Sequence, residues 1–241
     1  MAILNYKFMK INALILIALT IVISSCQKSD GYETLFNGEN LEGWHVYNNG
    51  KNYNGWVAEN GVLVFDPQQR TEATSANLTT DKQYTSFELS LDWMISEHGN
   101  SGMMWGVVES PKYEHPYLTG AEIQILDDGW TEYVTERGDI NRAGSLYNLI
   151  APSEVVSKPA GEWNHHVLHI DQEKNEGFLI FNDVKVLEFP VNGPKWKALI
   201  GQSPVNAWED FGAAQTGHIS LQEHGGKVAF RNIKIRELNK D

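Results

Sequence analysis

The chain has one cysteine in 241 residues, Cys26. No disulfide can form within it, so its fold must be held by an apolar core. Basic residues are scarce, with 19 Lys and Arg against 31 Asp and Glu. A surface of that sign repels phosphates, which argues against nucleic acid or anionic lipid as a partner. The apolar run Ala13 to Ile23, broken only by Thr20, is too short to span a bilayer. Beyond it there is no amphipathic helix of three turns, no internal repeat, no low-complexity segment and no Pro, Gly or Ser linker. Those absences exclude helical bundles, solenoids and strings of domains, and leave one domain built of short strands.

Lys7 and Lys10 precede the apolar run, and small residues follow it, so residues 1–26 read as a secretory signal. Ile23-Ser24-Ser25-Cys26 resembles a bacterial lipobox. The resemblance implies that Cys26 becomes a lipidated N-terminus, whose acyl chains anchor residues 27–241 to a membrane of the cell envelope, at the outer membrane or its periplasmic face. Removing Lys7 and Lys10 changes the balance from 19 against 31 to 17 against 31, formally −14.

The most telling stretch is Gly120-Ala121-Glu122-Ile123-Gln124-Ile125-Leu126-Asp127. Its alternation predicts a strand with Ile123 and Ile125 in a core and Glu122 and Gln124 on the opposite face. Gly99-Asn100-Ser101-Gly102 leads into the apolar run Met103 to Val108, a second strand with small polar groups at its mouth. Two polar-mouthed strands suggest a cleft. Further strands are expected at Tyr32 to Phe36, Gly55 to Glu59, Val62 to Phe65, Phe87 to Ile95, His165 to Asp171, Phe178 to Phe181, Val184 to Phe189, His218 to Gln222 and Val228 to Arg236. Asn60-Gly61 and Asn182-Asp183 mark tight hairpins. The pattern predicts an all-β sandwich, a jelly roll of two antiparallel sheets with Glu122 and Gln124 in a concave groove. The insertions Ser110 to Gly120 and Asp127 to Gly144 are too long for plain turns and are expected to serve function. Eight tryptophans and nine tyrosines suit sugar rings, although core and hairpin packing claims more than half of them.

Phe36-Asn37-Gly38 with Leu41-Glu42-Gly43-Trp44, Asn100-Ser101-Gly102, Glu122-Ile123-Gln124-Ile125-Leu126-Asp127, Glu162-Trp163-Asn164, Leu221-Gln222-Glu223-His224-Gly225 and Phe230-Arg231-Asn232-Ile233 resemble the 3-keto-disaccharide hydrolase domain. The resemblance covers essentially all of residues 27–241. It implies a concanavalin A-like jelly roll and action on sugars oxidised to a ketone at C3. Gly106 departs from the pattern, since many members carry an arginine there; Arg142, in Asn141-Arg142-Ala143-Gly144-Ser145-Leu146-Tyr147, is the candidate to supply a cation instead.

A ketone at C3 acidifies the C2 proton. Its removal expels the C1 substituent by β-elimination, and water then adds to the enone. This chemistry needs one base, one acid and donors to an oxyanion, and it requires no cofactor. Glu122 is the expected base and His224 the second proton-transfer group. Arg142, Asn100 and Gln124 are expected to stabilise the oxyanion or grip hydroxyls, with Tyr147 in the same substrate-binding set. Trp105, Trp130 and Trp208 are candidate sugar platforms, core packing being the commoner role for Trp105. Asp127 falls on the wrong face of a regular strand and is expected to cap the following loop. His165, His166 and His169 lack a carboxylate at metal-ligand spacing, so no histidine metal site is expected. Asp127, Asp128, Glu132 and Asp139 could hold a structural calcium ion, but a solvated acidic loop is the commoner outcome. Two alternatives stand beside the keto-glycoside reading. One is a retaining glycosidase of the glucanase type, which needs two carboxyls about 5 to 5.5 Å apart where this chain has Gln124 as the central residue. The other is a carbohydrate-binding module on the same sandwich.

Overall fold

The computed structural model describes residues 31–238, so the leader, the lipobox and Cys26 lie outside the described residues. In chain order the strands are β1 (Glu33–Thr34), β2 (Trp44–Val46), β3 (Trp56–Glu59), β4 (Val62–Phe65), β5 (Leu78–Tyr84), β6 (Phe87–Ile95) and β7 (Asn100–Val107). They continue with β8 (Ala121–Leu126), β9 (Asn164–Asp171), β10 (Glu176–Phe181), β11 (Val184–Phe189), β12 (Gly217–Leu221) and β13 (Val228–Glu237). One sheet runs β11-β10-β9-β6-β13-β4-β3, with β1 also on β13, and the other runs β2-β5-β12-β7-β8. Every pairing is antiparallel. The two-sheet antiparallel sandwich expected from the strand pattern is the fold.

Alternation decides which side of each strand is dry. Along β6, Phe87, Leu89, Leu91, Trp93 and Ile95 are buried while Glu88, Ser90, Asp92 and Met94 are half-buried between them. The inward set packs with Ile123 and Ile125 of β8, Met103 and Trp105 of β7, and Ile219 and Leu221 of β12 in one core between the sheets. On the outer side of the larger sheet, Asp92 meets His165 at 2.7 Å and Arg231 at 3.1 Å, and Glu88 meets His169 at 3.2 Å and also Arg236. His165 and His169 are therefore tied across strands, and His166 points into the core against Trp93 and Phe181. Burial depresses the His166 pKa to about 3, so it stays neutral.

The hairpin dipeptides behave as their chemistry requires. Asn60 and Gly61 have φ of 52° and 81°, and Asn182 and Asp183 have 46° and 69°. Two consecutive positive angles twist a two-residue turn to match its strands. Two strands went unforeseen, β2 and β5, and β7 begins at Asn100, so the polar mouth is part of the strand itself. The long insertions carry short helical pieces: a 3-10 turn at Pro116–Leu118 in the first, and α1 (Thr131–Arg137) with a 3-10 turn at Asp139–Asn141 in the second. A further helix, α2 (Gly193–Gly201), precedes the loop to β12. Neither helix reaches three turns.

Candidate active site

The outer face of the five-stranded sheet is where the site forms. Because Ile123 and Ile125 face the core, Glu122 and Gln124 emerge on this face. There β7 brings Gly102 opposite Gln124 and Met104 opposite Glu122. Both side chains are still buried, at 6% and 1% exposure. The segment after α1 runs along the free edge of β8. Gly144 N–H donates to the Gln124 carbonyl at 2.9 Å, Gln124 N–H to the Ser145 carbonyl at 3.0 Å, and Tyr147 N–H to the Glu122 carbonyl at 3.0 Å. That ladder sets Tyr147 beside Glu122 by backbone register.

A cavity of about 280 Å³ is lined by Asn100, Tyr117, Glu122, Gln124, Tyr147, Asn148, Trp208, Gln222 and His224. Among the described residues Glu122 is its only carboxyl group. Glu122 Oε1 has no hydrogen-bond partner among the described residues, and burial alone pushes its pKa up to about 8. The carboxyl fits because residue 102 is glycine: a Cβ there would fall on Glu122 Oε1. Asn100 Oδ1 is likewise buried without a partner, whereas Gln124 Nε2 donates to the Asn141 carbonyl at 3.2 Å. Burial, followed by the charges of Tyr133 and Glu122, raises the Tyr147 pKa to about 12, so its hydroxyl remains a donor throughout the neutral range. His224 sits exposed in the loop after β12, at the cavity's rim.

Thus Glu122, His224, Asn100, Gln124 and Tyr147 are brought together, and three expected residues are not. Arg142 lies outside the cavity lining, its Nε 3.9 Å from Asp128 and its Nη1 3.3 Å from Asp139, because the acidic loop that carries it supplies its counter-charges. Trp105 is on the core side of β7, tilted against Phe189 at 5.7 Å; its odd position in the alternation points it away from Glu122. Trp130 stacks on His98 at 5.3 Å and meets Tyr133 at 5.0 Å, closing the base of the α1 loop. Gly106 adopts φ of 66°, and the backbone of Gly217 approaches so closely that a Cβ on Gly217 would stand 2.5 Å from the Gly106 carbonyl carbon. An arginine at 106 would be strained in that kink.

Four lining residues were not assigned to the site in advance: Tyr117, Asn148, Gln222 and, beyond a possible platform role, Trp208. Tyr117 comes from the first long insertion and meets Trp208 at 5.3 Å. Asn148 is held at φ of 59° with its carbonyl accepting from Ser203 Oγ at 2.7 Å. The insertions' length and aromatic content was the signal for Tyr117; Gln222 continues the alternation of β12 and could have been found from it. Asp127 caps the following loop as expected, accepting from His98 N–H at 2.9 Å and Gly129 N–H at 3.0 Å. Asp128 accepts from Ala143 N–H at 3.1 Å and Ser157 Oγ at 2.6 Å. Among the described residues no group of three or more His, Cys, Asp or Glu is placed to hold a metal ion.

Comparison with known proteins locates this arrangement. A 3-keto-disaccharide hydrolase of Bacteroides thetaiotaomicron is 28% identical over 235 residues, covering 88% of this chain and 80% of that protein. A solved structure from Parabacteroides distasonis, provisionally assigned as a glycosyl hydrolase, superposes with a TM-score of 0.81 at 33% identity, covering 90% of this chain and 99% of that one. A Bacillus subtilis protein with a galectin-like fold, at 12% identity and a TM-score of 0.55 over 86% of this chain and 94% of that one, shares the fold alone. The 3-keto-alpha-glucoside-1,2-lyase-like domain matches residues 31–236, and by that match over nearly the whole of the two-sheet unit the chain belongs to this family.

Proposed function

We propose that the protein cleaves 3-keto-glycosides, with Glu122 as the base that removes the C2 proton. The observation that carries the reading is a lone, unpartnered carboxyl with a pKa near 8 in a cavity otherwise lined by amides, phenols, an indole and an imidazole. Raising its pKa makes the carboxylate a stronger base toward a carbon acid. As the C2–H bond breaks, its electrons form a C2=C3 bond and the C3 carbonyl's π pair moves to its oxygen; the enolate then collapses, the C3 carbonyl re-forms, the C2=C3 pair becomes the C1=C2 bond and the C1–O bond breaks. The leaving oxygen takes a proton from His224, and the C3 oxyanion accepts hydrogen bonds from Tyr147 and Asn100. Water then adds across the double bond, hydroxyl to C1 and proton to C2, so the net change is hydrolysis to a 3-keto sugar and an alcohol. A retaining glycosidase is disfavoured because, among the described residues, no second carboxyl lines the cavity to act as its partner.

The test compares a disaccharide with its C3-oxidised counterpart, with and without chelator. Only the ketone should be cleaved, and chelator should change nothing. Equal cleavage of the unoxidised sugar would establish the glycosidase, and binding without turnover of either would establish a binding module.

The same reading places the enzyme on the cell envelope through Cys26, supported by the lipobox-like sequence before it. Cys26→Ser should move the protein from the membrane to the soluble fraction on cell fractionation, or stop its processing. Unaltered membrane partition together with an unmodified, uncleaved N-terminus in the wild type would exclude the anchor.

A further inference from the structure

A second, larger hollow of about 820 Å³ opens beside the Glu122 cavity and shares Tyr117, Gln222 and His224 with it. We propose that this groove binds further sugar units of the leaving group, so that the preferred substrate is an oligosaccharide oxidised at the unit entering the Glu122 cavity. The proposal rests on the keto-glycoside reading and extends it to substrate length.

The groove is built, not merely left between loops. Its far wall is the segment 70–77, fastened by Arg70, whose Nη1 pairs with Glu223 at 3.0 Å and whose Nη2 and Nε donate to the carbonyls of Thr74 at 2.5 Å and Glu72 at 3.3 Å. Glu223 in turn accepts from Ala76 N–H at 3.1 Å. The one arginine of the lining is therefore paired with a carboxylate, and three of its five donors are engaged. With Glu114 exposed beside it, the groove offers nothing to attract an anion.

What it does offer suits a polyol. Tyr117 and His115 stack at 4.9 Å with planes 19° apart, presenting a flat ring surface against which the apolar face of a pyranose can lie. The side chains of Asn49 and Gln222 make no hydrogen bond to other described residues, and they line the groove as free amides. Gln222 belongs to both hollows, which puts an uncommitted amide at the junction where a glycosidic bond would cross. The cavity around Glu122 has room for little beyond one sugar ring, so the groove is where the rest of the substrate must go.

The experiment uses the methyl glycoside of a 3-keto-glucose and keto-oligosaccharides of two to four units, with wild type, Ala73→Trp and His115→Ala. Ala73 is exposed on the groove's wall, so the tryptophan fills the groove without disturbing the core. In wild type kcat/KM should rise by about tenfold with chain length. Ala73→Trp should abolish that rise without changing kcat/KM for the methyl glycoside, and His115→Ala should reduce it. A wild-type kcat/KM independent of length, or an Ala73→Trp variant that impairs the methyl glycoside equally, would overturn the proposal. Failure to turn over any keto-sugar would instead sink the keto-glycoside reading. In that event calorimetry with unoxidised oligosaccharides decides the groove: affinity that grows with length and is lost in Ala73→Trp supports it, and length-independent affinity refutes it.

Discussion

Glu122 shows how one residue's role is set by neighbours that give it nothing. Among the described residues its Oε1 meets no donor and no cation pairs with it, so its proton affinity reflects lost hydration. In the uncomplexed enzyme the limb of the kcat/KM profile that belongs to the base should therefore rise with pH through a midpoint near 8, as the carboxyl ionises. Glu122→Gln keeps the shape and should lower turnover by roughly 10²-fold or more, with that pH step removed. A variant at the wild-type rate would move the base elsewhere, His224 being next. Gly102 is the complementary residue. Gly102→Ala places a methyl where the Glu122 carboxyl lies, so the carboxyl must swing away, costing about 10²-fold in turnover and about 1 to 3 kcal/mol in stability from overpacking. Its pH step should also shift toward the ordinary carboxylate range as the group gains water. Wild-type kinetics in Gly102→Ala would show that the carboxyl has slack.

At the scale of the strand, β8 separates scaffold from site by parity. Ile123 is fully buried between the sheets, and Ile123→Ala should destabilise by about 2 to 5 kcal/mol in chemical denaturation, while the folded fraction retains its chemistry. This parity was legible in the sequence, and so were β6, whose apolar alternation is complete, and β4 and β11, whose ends are marked by the Asn60-Gly61 and Asn182-Asp183 turns beside them. β5 was not. Its residues Leu78-Thr79-Thr80-Asp81-Lys82-Gln83-Tyr84 carry little apolar signal, because one side of this strand faces the polar hollow side of the smaller sheet and part of it lies near the surface. β2 is three residues long, too short to show a period. The same limit governed the site. Glu122, Gln124 and Asn100 lie on regular strands, where position in the chain fixes direction. Arg142, Trp130 and Tyr117 lie on insertions, where direction depends on loop pairings that no period announces. Trp105 was a misassignment against its own parity, since it is even-spaced from Met103, a core residue.

For the whole molecule, the Glu122 site has a measurable cost. A carboxyl whose folded pKa is raised from 4.5 to about 8 binds its proton more tightly folded than unfolded. Stability from this group is therefore greatest below about pH 4.5, falls as pH rises through the window to 8, and is level above it. Thermal unfolding of wild type and Glu122→Gln should accordingly converge near pH 5 and diverge toward pH 9, with the glutamine variant the more stable; parallel curves would mean that the carboxyl is hydrated. The chain order of the larger sheet has another outcome, one that concerns synthesis. β13 comes after every other strand of the two-sheet unit, yet it lies in the interior of that sheet, between β6 and β4, and also holds β1. Until β13 has been made, β6 and β4 have facing edges and no strand to join them. The sheet can close only then, so through most of its synthesis the unit carries exposed strand edges that need protection from one another.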